Sequence, residues 1–360
     1  IADIVFSTAN ENGTTVYSWT NDNTSIGLAV SGTGDITTFE ADNDTNDPIT
    51  ANITVTPSYD AAEELSCSGD PITFTITVNP TAQVDEPLDY EYCDGDTAEI
   101  DFTTSNGGDD SVTTYSWVVT GDDIGLPSQG NDNISELVTN STNDVLTATI
   151  EVTPTYTNAG ESCSGPSETF TITVSPTAQV EGIDPIVVCN GDDIADIVFS
   201  TANTNGTTIY SWTNDNTNIG LAASGDGNIP SFASVNTSFA SIVSNITVTP
   251  SYTNNGITCV GPSESFTITV NPTAQVEEIS SQILCAGETS EAISFATLNT
   301  DGVTSYSWTN DNTTIGLVAS GSGNISAFTV SNPFNNAIVS NITVTPTYTN
   351  NGISCDGSSE

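Results

Sequence analysis

The chain has 360 residues, with no Lys, no Arg and no His against 46 Asp plus Glu, giving a formal net charge of −46. A surface without cations cannot neutralise phosphates, which excludes nucleic acid and anionic membrane surfaces as partners. The absence of His and Lys also removes triad bases and Schiff bases, so only carboxylate chemistry of the glycosidase kind remains open to an enzyme reading.

Two cysteine series run through the chain in steps of 96: Cys67, Cys163, Cys259, Cys355, and Cys93, Cys189, Cys285. Trp19, Trp117, Trp212 and Trp308 keep nearly the same step, and Pro-Thr-Ala-Gln-Val recurs from Pro80, Pro176 and Pro272. Self-similarity at a fixed period marks a repeat architecture. It divides the chain at 1–80, 81–176, 177–272 and 273–360. The phrase IADIVFSTAN starts at both Ile1 and Ile194, so the first repeat lacks the equivalent of 177–193. Glu360 aligns with Glu264, so the last repeat lacks the equivalent of 265–272. The expectation is two complete and two truncated copies from a longer array. No stretch of roughly 18 or more apolar residues occurs, so no membrane-spanning helix is predicted.

The elements of the third repeat, in chain order, all read as short strands. Residues 196–202 and 207–213 are predicted strands joined by a turn at 203–206, with Tyr210 and Trp212 on one face. Residues 245–249 alternate Asn-Ile-Thr-Val-Thr, and 265–270 place Phe266, Ile268 and Val270 on one side. Alternating Thr with Ile or Val is the pattern of a strand with one dry face and one wet face. Turn residues separate these runs: Asn214-Asp215-Asn216, Ser224-Gly225-Asp226-Gly227 and Asn254-Asn255-Gly256. About seven short strands with no helical period predict an all-β fold of tandem immunoglobulin-like β-sandwich repeats. The predicted core is Phe199, Tyr210, Trp212, Ile246, Val248, Phe266 and Ile268.

Seven cysteines in an acidic repeat array point to an oxidising, extracellular setting. Two pairings fit the period. Bridges within a repeat are Cys93–Cys163, Cys189–Cys259 and Cys285–Cys355. Bridges across junctions are Cys67–Cys93, Cys163–Cys189 and Cys259–Cys285. The first is expected, because the final strand of each repeat separates the hairpin cysteine from the next repeat. It closes a loop of about 70 residues, which the chain-entropy argument rates at about 4 kcal/mol. Metal binding by free thiols has no Cys-x-x-Cys spacing or His behind it.

Acidic turns offer hard oxygen ligands suited to calcium. Asn-Asp-Asn follows the Trp strand three times, placing Asp22, Asp215 and Asp311 as candidate calcium ligands. The second repeat has Gly121-Asp122-Asp123 there instead. Asp42-Asn43-Asp44-Thr45-Asn46-Asp47 begins like an EF-hand loop but lacks its sixth-position Gly and twelfth-position Glu. The same turns also read simply as turns, and the acids as solvated surface. Acids number 12, 18, 8 and 8 by repeat, so their positions drift, which argues against a carboxylate pair built into every repeat.

The order Val-Cys-Asn-Gly-Asp (188–192), Tyr-Ser-Trp-Thr-Asn-Asp-Asn-Thr (210–217), Asn-Ile-Thr-Val-Thr-Pro-Ser-Tyr-Thr (245–253) and Phe-Thr-Ile-Thr-Val-Asn-Pro-Thr-Ala-Gln-Val (266–276) resembles the PKD-like repeats of Bacteroidetes cell-surface adhesins. Within that group it is most similar to the SprB-type gliding-motility adhesins of flavobacteria, and the likeness covers essentially the whole chain. The resemblance implies export by type IX secretion and display at the cell surface, attached to the outer membrane. It implies a structural stalk that extends a distal adhesive tip. The partners it implies are neighbouring repeats, other cell-surface proteins or the substratum. It also implies O-glycosylation at Asp-Ser/Thr-apolar sites, which Thr97 and Ser111 match. The alternative is a repeat that itself binds glycans or surfaces, which needs exposed aromatics. The third is a carboxylate-only hydrolase; no enzyme activity is expected.

Overall fold

The computed structural model describes residues 1–61 and 65–360. In the first repeat the strands are β1 (Gly13–Asn21), β2 (Ser31–Thr33), β3 (Ile49–Ala61), β4 (Leu65–Ser68) and β5 (Ile72–Val78). The second repeat has β6 (Tyr90–Cys93), β7 (Thr97–Ile100), β8 (Val112–Gly121), β9 (Gln129–Asn131), β10 (Ile134–Leu137), β11 (Leu146–Asn158), β12 (Glu161–Ser164) and β13 (Glu168–Ser175). The third has β14 (Ile186–Cys189), β15 (Asp193–Ile194), β16 (Thr207–Asn214), β17 (Ser224–Asp226), β18 (Phe232–Ala233), β19 (Ile242–Asn254), β20 (Ile257–Val260) and β21 (Glu264–Asn271). The fourth has β22 (Val303–Asn310), β23 (Ser320–Ser322), β24 (Ile342–Asn350) and β25 (Ile353–Asp356). They form two units, Ile1–Pro176 and Thr177–Glu360, each holding two repeats.

Every repeat is built on one long strand, because the Thr/Ile/Val alternation runs further than the short motif read from sequence. In the third repeat that strand is β19. It pairs antiparallel with β16 on one side and with β21 on the other, while β20 folds back on its end. The sheet order is β14-β21-β19-β16-β17. Residues Asn255 and Gly256 have φ of 44° and 92°, so the β19–β20 hairpin turns through two left-handed positions. That backbone twist matches the twist of the flanking strands. The opposite layer is thin: β15 pairs β18, and Ile197 bridges Ile229.

One sequence expectation fails here. Residues 196–202 do not form a hairpin with β16. They cross to the opposite layer, where Phe199 N–H donates to Asn228 Oδ1 and the Phe199 ring tilts against Tyr210 at 5.4 Å. The apolar alternation was read correctly; the layer was not, because period two says which face is dry but not which sheet receives it.

The core lies between the layers. Phe199, Trp212, Ile246, Val248, Phe266 and Ile268 are buried, and Tyr210 is half-buried against them. The second repeat repeats this with Phe102, Trp117, Ile150, Val152, Phe170 and Ile172. Separate core clusters in the first and fourth repeats are centred on Trp19 and Trp308. The chain is therefore an all-β protein of tandem immunoglobulin-like β-sandwich repeats.

Strand direction fixes what each end of a repeat presents. β14 runs parallel to β21, with Ile186 opposite Ile268 and Cys189 opposite Asn271. Cys189 therefore sits where β21 ends. Cys259 sits in β20, opposite Tyr252, before β21 begins. A strand of 8 residues separates the two cysteines, and at ~3.3 Å per residue that is roughly 25 Å.

Candidate functional site at the repeat junctions

Within each unit the two repeats meet, and the second unit shows what the meeting surface contains. Just before β19, Phe239 meets the loop ahead of β22 and Ser241 meets the end of β24. Thr300 N–H donates to Phe239 O at 2.9 Å. The Tyr348 hydroxyl donates to Thr300 O at 2.8 Å and lies 3.2 Å from Ser241 Oγ. Asn350 Nδ2 donates to Ser241 Oγ at 2.8 Å, and Asn271 Nδ2 donates to Asn350 O at 3.1 Å. Ser241 Oγ in turn donates to Asn271 Oδ1. Tyr348 and Asn271 are both 0% exposed, while Ser241 and Asn350 are half-buried, so the network is partly shielded from water and its polar groups bond one another.

The network is closed by a covalent bond. Cys189 is disulfide-bonded to Cys355, with 5.5 Å between the two Cα atoms and 166 residues between them in sequence. This joins the early cysteine of the third repeat to the hairpin cysteine of the fourth. It corrects the sequence expectation. Cys163 and Cys285 carry free thiols, as does Cys67, so the bridges Cys93–Cys163, Cys189–Cys259 and Cys285–Cys355 do not form. The junction set Cys67–Cys93, Cys163–Cys189 and Cys259–Cys285 does not form either. Cys93 and Cys259 are disulfide-bonded as well. The physical reason is the parallel β14–β21 pairing, which carries the early cysteine to the far end of its repeat. There it meets the hairpin of the following repeat and cannot reach its own.

The first unit builds the same surface without the bond. Asn158 Nδ2 donates to Asn79 Oδ1 at 2.8 Å, Gly107 N–H to Asn46 O at 2.9 Å, and the Tyr156 hydroxyl to Gly107 O at 2.8 Å. Tyr156 is 0% exposed. Cys163, opposite Tyr156 in the hairpin, remains a half-buried thiol.

The Asn-Asp-Asn turns prove to be clasps. Asp215 accepts from Asn245 N–H at 2.8 Å through Oδ1 and from Asn245 Nδ2 at 2.7 Å through Oδ2. Asp22 does the same with Asn52, and Asp311 with Asn341. These side-chain and then backbone hydrogen bonds hold each of the three carboxyls below the ordinary value of 3.8. The flanking asparagines close the loop. Asn214 Nδ2 donates to Leu221 O, and Asn216 Oδ1 accepts from Asn218 N–H to cap a short 3-10 turn. In the second repeat Asp122 keeps one clasp bond, to Thr147 N–H. The three aspartates lie in separate repeats and are not brought together. Among the described residues no group of three or more His, Cys, Asp or Glu gathers as a metal site.

The EF-hand-like segment is a second recurring corner that sequence reading missed. Asn43 Nδ2 donates to Asp47 O and Val78 O, and its Oδ1 accepts from Thr45 N–H. Asn140 and Asn236 repeat this pattern and are each 2% exposed. The recurring Asn-x-Ser/Thr within that corner was the available signal. Of the two modification candidates, Thr97 is exposed at the start of β7. The Ser111 hydroxyl donates to Gly107 O and Gly108 O. An open groove in the third repeat is lined by Thr217, Asn218, Val235, Thr237 and Ile242, without an aromatic ring.

No protein-family model and no curated protein matches the sequence. Solved structures match at low identity. Drosophila N-cadherin EC1-4 is 12% identical with a TM-score of 0.31, covering 98% of this chain and 92% of that one. Titin domains I67-I69 are 10% identical with a TM-score of 0.37, covering 78% and 98%. Sidekick-1 immunoglobulin domains 1-4 are 10% identical with a TM-score of 0.24, covering 99% and 93%.

Proposed function

We propose that the chain is a stalk segment of a secreted cell-surface adhesin, of the kind used by gliding bacteria, and that it acts mechanically, without enzyme activity. The observation that carries this reading is the Cys189–Cys355 bond. It crosses from one repeat to the next beside a partly buried polar junction between them. A covalent link between neighbours resists pulling and twisting at the place where an array is weakest. The four-part division at 80/81, 176/177 and 272/273 is part of this reading. Disulfide-bonded cysteines fit an oxidising, extracellular compartment. No described helix is long and apolar enough to cross a membrane. Gliding, type IX export and outer-membrane attachment rest on the sequence resemblance alone.

Force spectroscopy on the full chain tests the reading. The 166 residues between Cys189 and Cys355 are shielded from extension while the bond is intact. Reduction opens this loop together with the disulfides of Cys93 and Cys259, and adds several hundred Å of contour length at ~3.3–3.6 Å per residue. Equal contour lengths before and after reduction would remove the mechanical argument. A glycan array probed with the same protein addresses the rival reading, a binding module in each repeat. Reproducible glycan binding would replace the stalk proposal.

A further inference from the structure

The second repeat ends its sheet with an edge strand unlike that of the third. β6 pairs with β13 and with no strand on its other side among the described residues, and β14 stands in the same place beside β21. On β6 the residues opposite the buried Ile172 and Val174 are Tyr90 and Tyr92. Their rings are parallel, 6.2 Å apart between centroids and 9° between planes, and Phe170 meets Tyr90 edge-on at 5.9 Å. Both tyrosines are half-buried, so the rings pack on the rim of the core and still reach solvent. Leu88, in the same phase, is 73% exposed. The other phase of the strand is acidic. Asp89 accepts from Thr171 N–H at 2.7 Å and from Thr171 Oγ1 at 2.8 Å, and Glu91 lies opposite Thr173. Burial first, and then the neighbouring Tyr90, Glu99 and Asp96, hold the Tyr92 hydroxyl above its ordinary value of 10.0. The ring therefore stays neutral with carboxylates beside it.

The third repeat has the same edge without this chemistry. One period of 96 residues further on, Tyr90 and Tyr92 become Ile186 and Val188, Asp89 becomes Pro185, Glu91 becomes Val187 and Glu99 becomes Ala195. Rings and carboxylates thus change together at one edge. The chain holds no Lys, Arg or His, so no side chain within it can neutralise these acids. We propose that the β6 edge is a docking site for an extended, Arg- or Lys-rich segment of another protein. The incoming strand hydrogen-bonds the open edge of β6 and alternates its side chains as β6 does. Cationic side chains in one phase lie over the Tyr90 and Tyr92 rings, whose negative faces attract them. Those in the other phase pair with Asp89 and Glu91. Arg suits both places, because its flat guanidinium stacks on rings and forks onto carboxylates. The inference stands on this one edge and is independent of the stalk reading.

The probe is a dye-labelled peptide with blocked ends, Arg-Thr-Arg-Thr-Arg, with Gln-Thr-Gln-Thr-Gln as its uncharged match. Both are added to the full chain at about 0.15 M salt, where general attraction to its acids is screened beyond about 8 Å. Hydrogen exchange read by mass spectrometry is expected to slow at 88–93 when the Arg peptide is added, and to stay unchanged at 184–189, the matching edge of the third repeat. In anisotropy titrations, Tyr90→Leu with Tyr92→Leu is expected to weaken the Kd about fivefold or more, because two cation–π contacts go while every charge remains. Leu keeps an apolar contact with the core rim, and the melt of the variant checks its fold. Glu91→Gln is expected to weaken binding as well and to flatten its salt dependence. Protection spread evenly over the acidic turns of every repeat would overturn the proposal, as mere polyanion binding. So would an unchanged Kd in the leucine variant, or equal binding of the Gln peptide. The protection map is read on the unaltered chain, so it decides the matter even where a variant fails to fold.

Discussion

The junction between the first two repeats and the junction between the last two are the same surface in two conditions. Both contain a fully buried tyrosine at the end of the long strand, Tyr156 or Tyr348, and both are bridged by asparagine side chains. Only the later one has a covalent bond. The lesson is about causation. The polar network is present at the first junction without a disulfide, so the hydrogen bonds do not depend on that bond.

Loss of the bond should separate the two junctions most strongly. Closing a loop of 166 residues is worth about 5 kcal/mol in the chain-entropy argument. In calorimetry of the full chain, Cys355→Ser should therefore lower the transition of Thr177–Glu360 by several degrees or more, and Cys163→Ser, which removes a free thiol, should change nothing. Equal responses from Cys163→Ser and Cys355→Ser would mean the two junctions do not differ as described. The core edge gives the next contrast. Phe266→Ala opens a cavity beneath a covering strand and should cost about 3–5 kcal/mol. Phe74→Ala, at the open edge, should cost about 2 kcal/mol or less, because its ring already keeps part of its contact with water. Denaturant midpoints of the two variants measure this directly.

What could be read in advance, and what could not, follows the same division. The Thr/Ile/Val alternation of 245–249 and 265–270 revealed strands with one dry face, and Trp212, Ile246, Val248, Phe266 and Ile268 are where that pattern puts them. The cysteine spacing revealed the period but misled on pairing. The final strand of each repeat, which separates the hairpin cysteine from the next repeat, pointed to partners about 70 residues apart. The deciding fact is the parallel direction of β14 against β21, and direction leaves no mark in a period-two pattern. The Asn-Asp-Asn turns were seen as a recurring motif. That each Asp is spent on an Asn 30 residues later depends on strand register, which only the fold supplies. Tyr348 was not singled out at all. It sits among threonines in an unremarkable Pro-Thr-Tyr-Thr run, and its burial comes from packing on Gly302 of its own repeat together with Ser241 of the preceding one.

That tyrosine gives a smaller test. In Tyr348→Phe, Thr300 O and Ser241 lose a buried partner, and a loss of about 1–2 kcal/mol is expected. Tyr59 occupies the equivalent place in the first repeat. Its hydroxyl donates to Glu11 O at an exposed site, and Tyr59 itself is half-buried. Tyr59→Phe should cost about 0.5 kcal/mol, since water replaces the lost bond. Equal costs at the two positions would mean that stacking adds nothing to the tyrosine.

The smallest effect comes from the clasps, and its sign is fixed. Asp22, Asp215 and Asp311 have folded values below the ordinary 3.8, chiefly through the side-chain bond from Asn52, Asn245 and Asn341. A carboxyl lowered on folding adds stability that is present above its unfolded value and lost as pH falls through the folded one. The melting temperature should therefore hold from neutral pH down to about pH 4 and decline below it. Asp215→Asn keeps an oxygen for the Asn245 N–H but removes the titrating charge, so its melt should fall less steeply in acid than that of the parent chain. Calcium bound at these turns would behave differently: chelation by EDTA would lower the melt at neutral pH, and Asp215→Asn would abolish that response. The clasp accounts for both carboxylate oxygens with protein donors, so EDTA should leave the neutral-pH melt where it is.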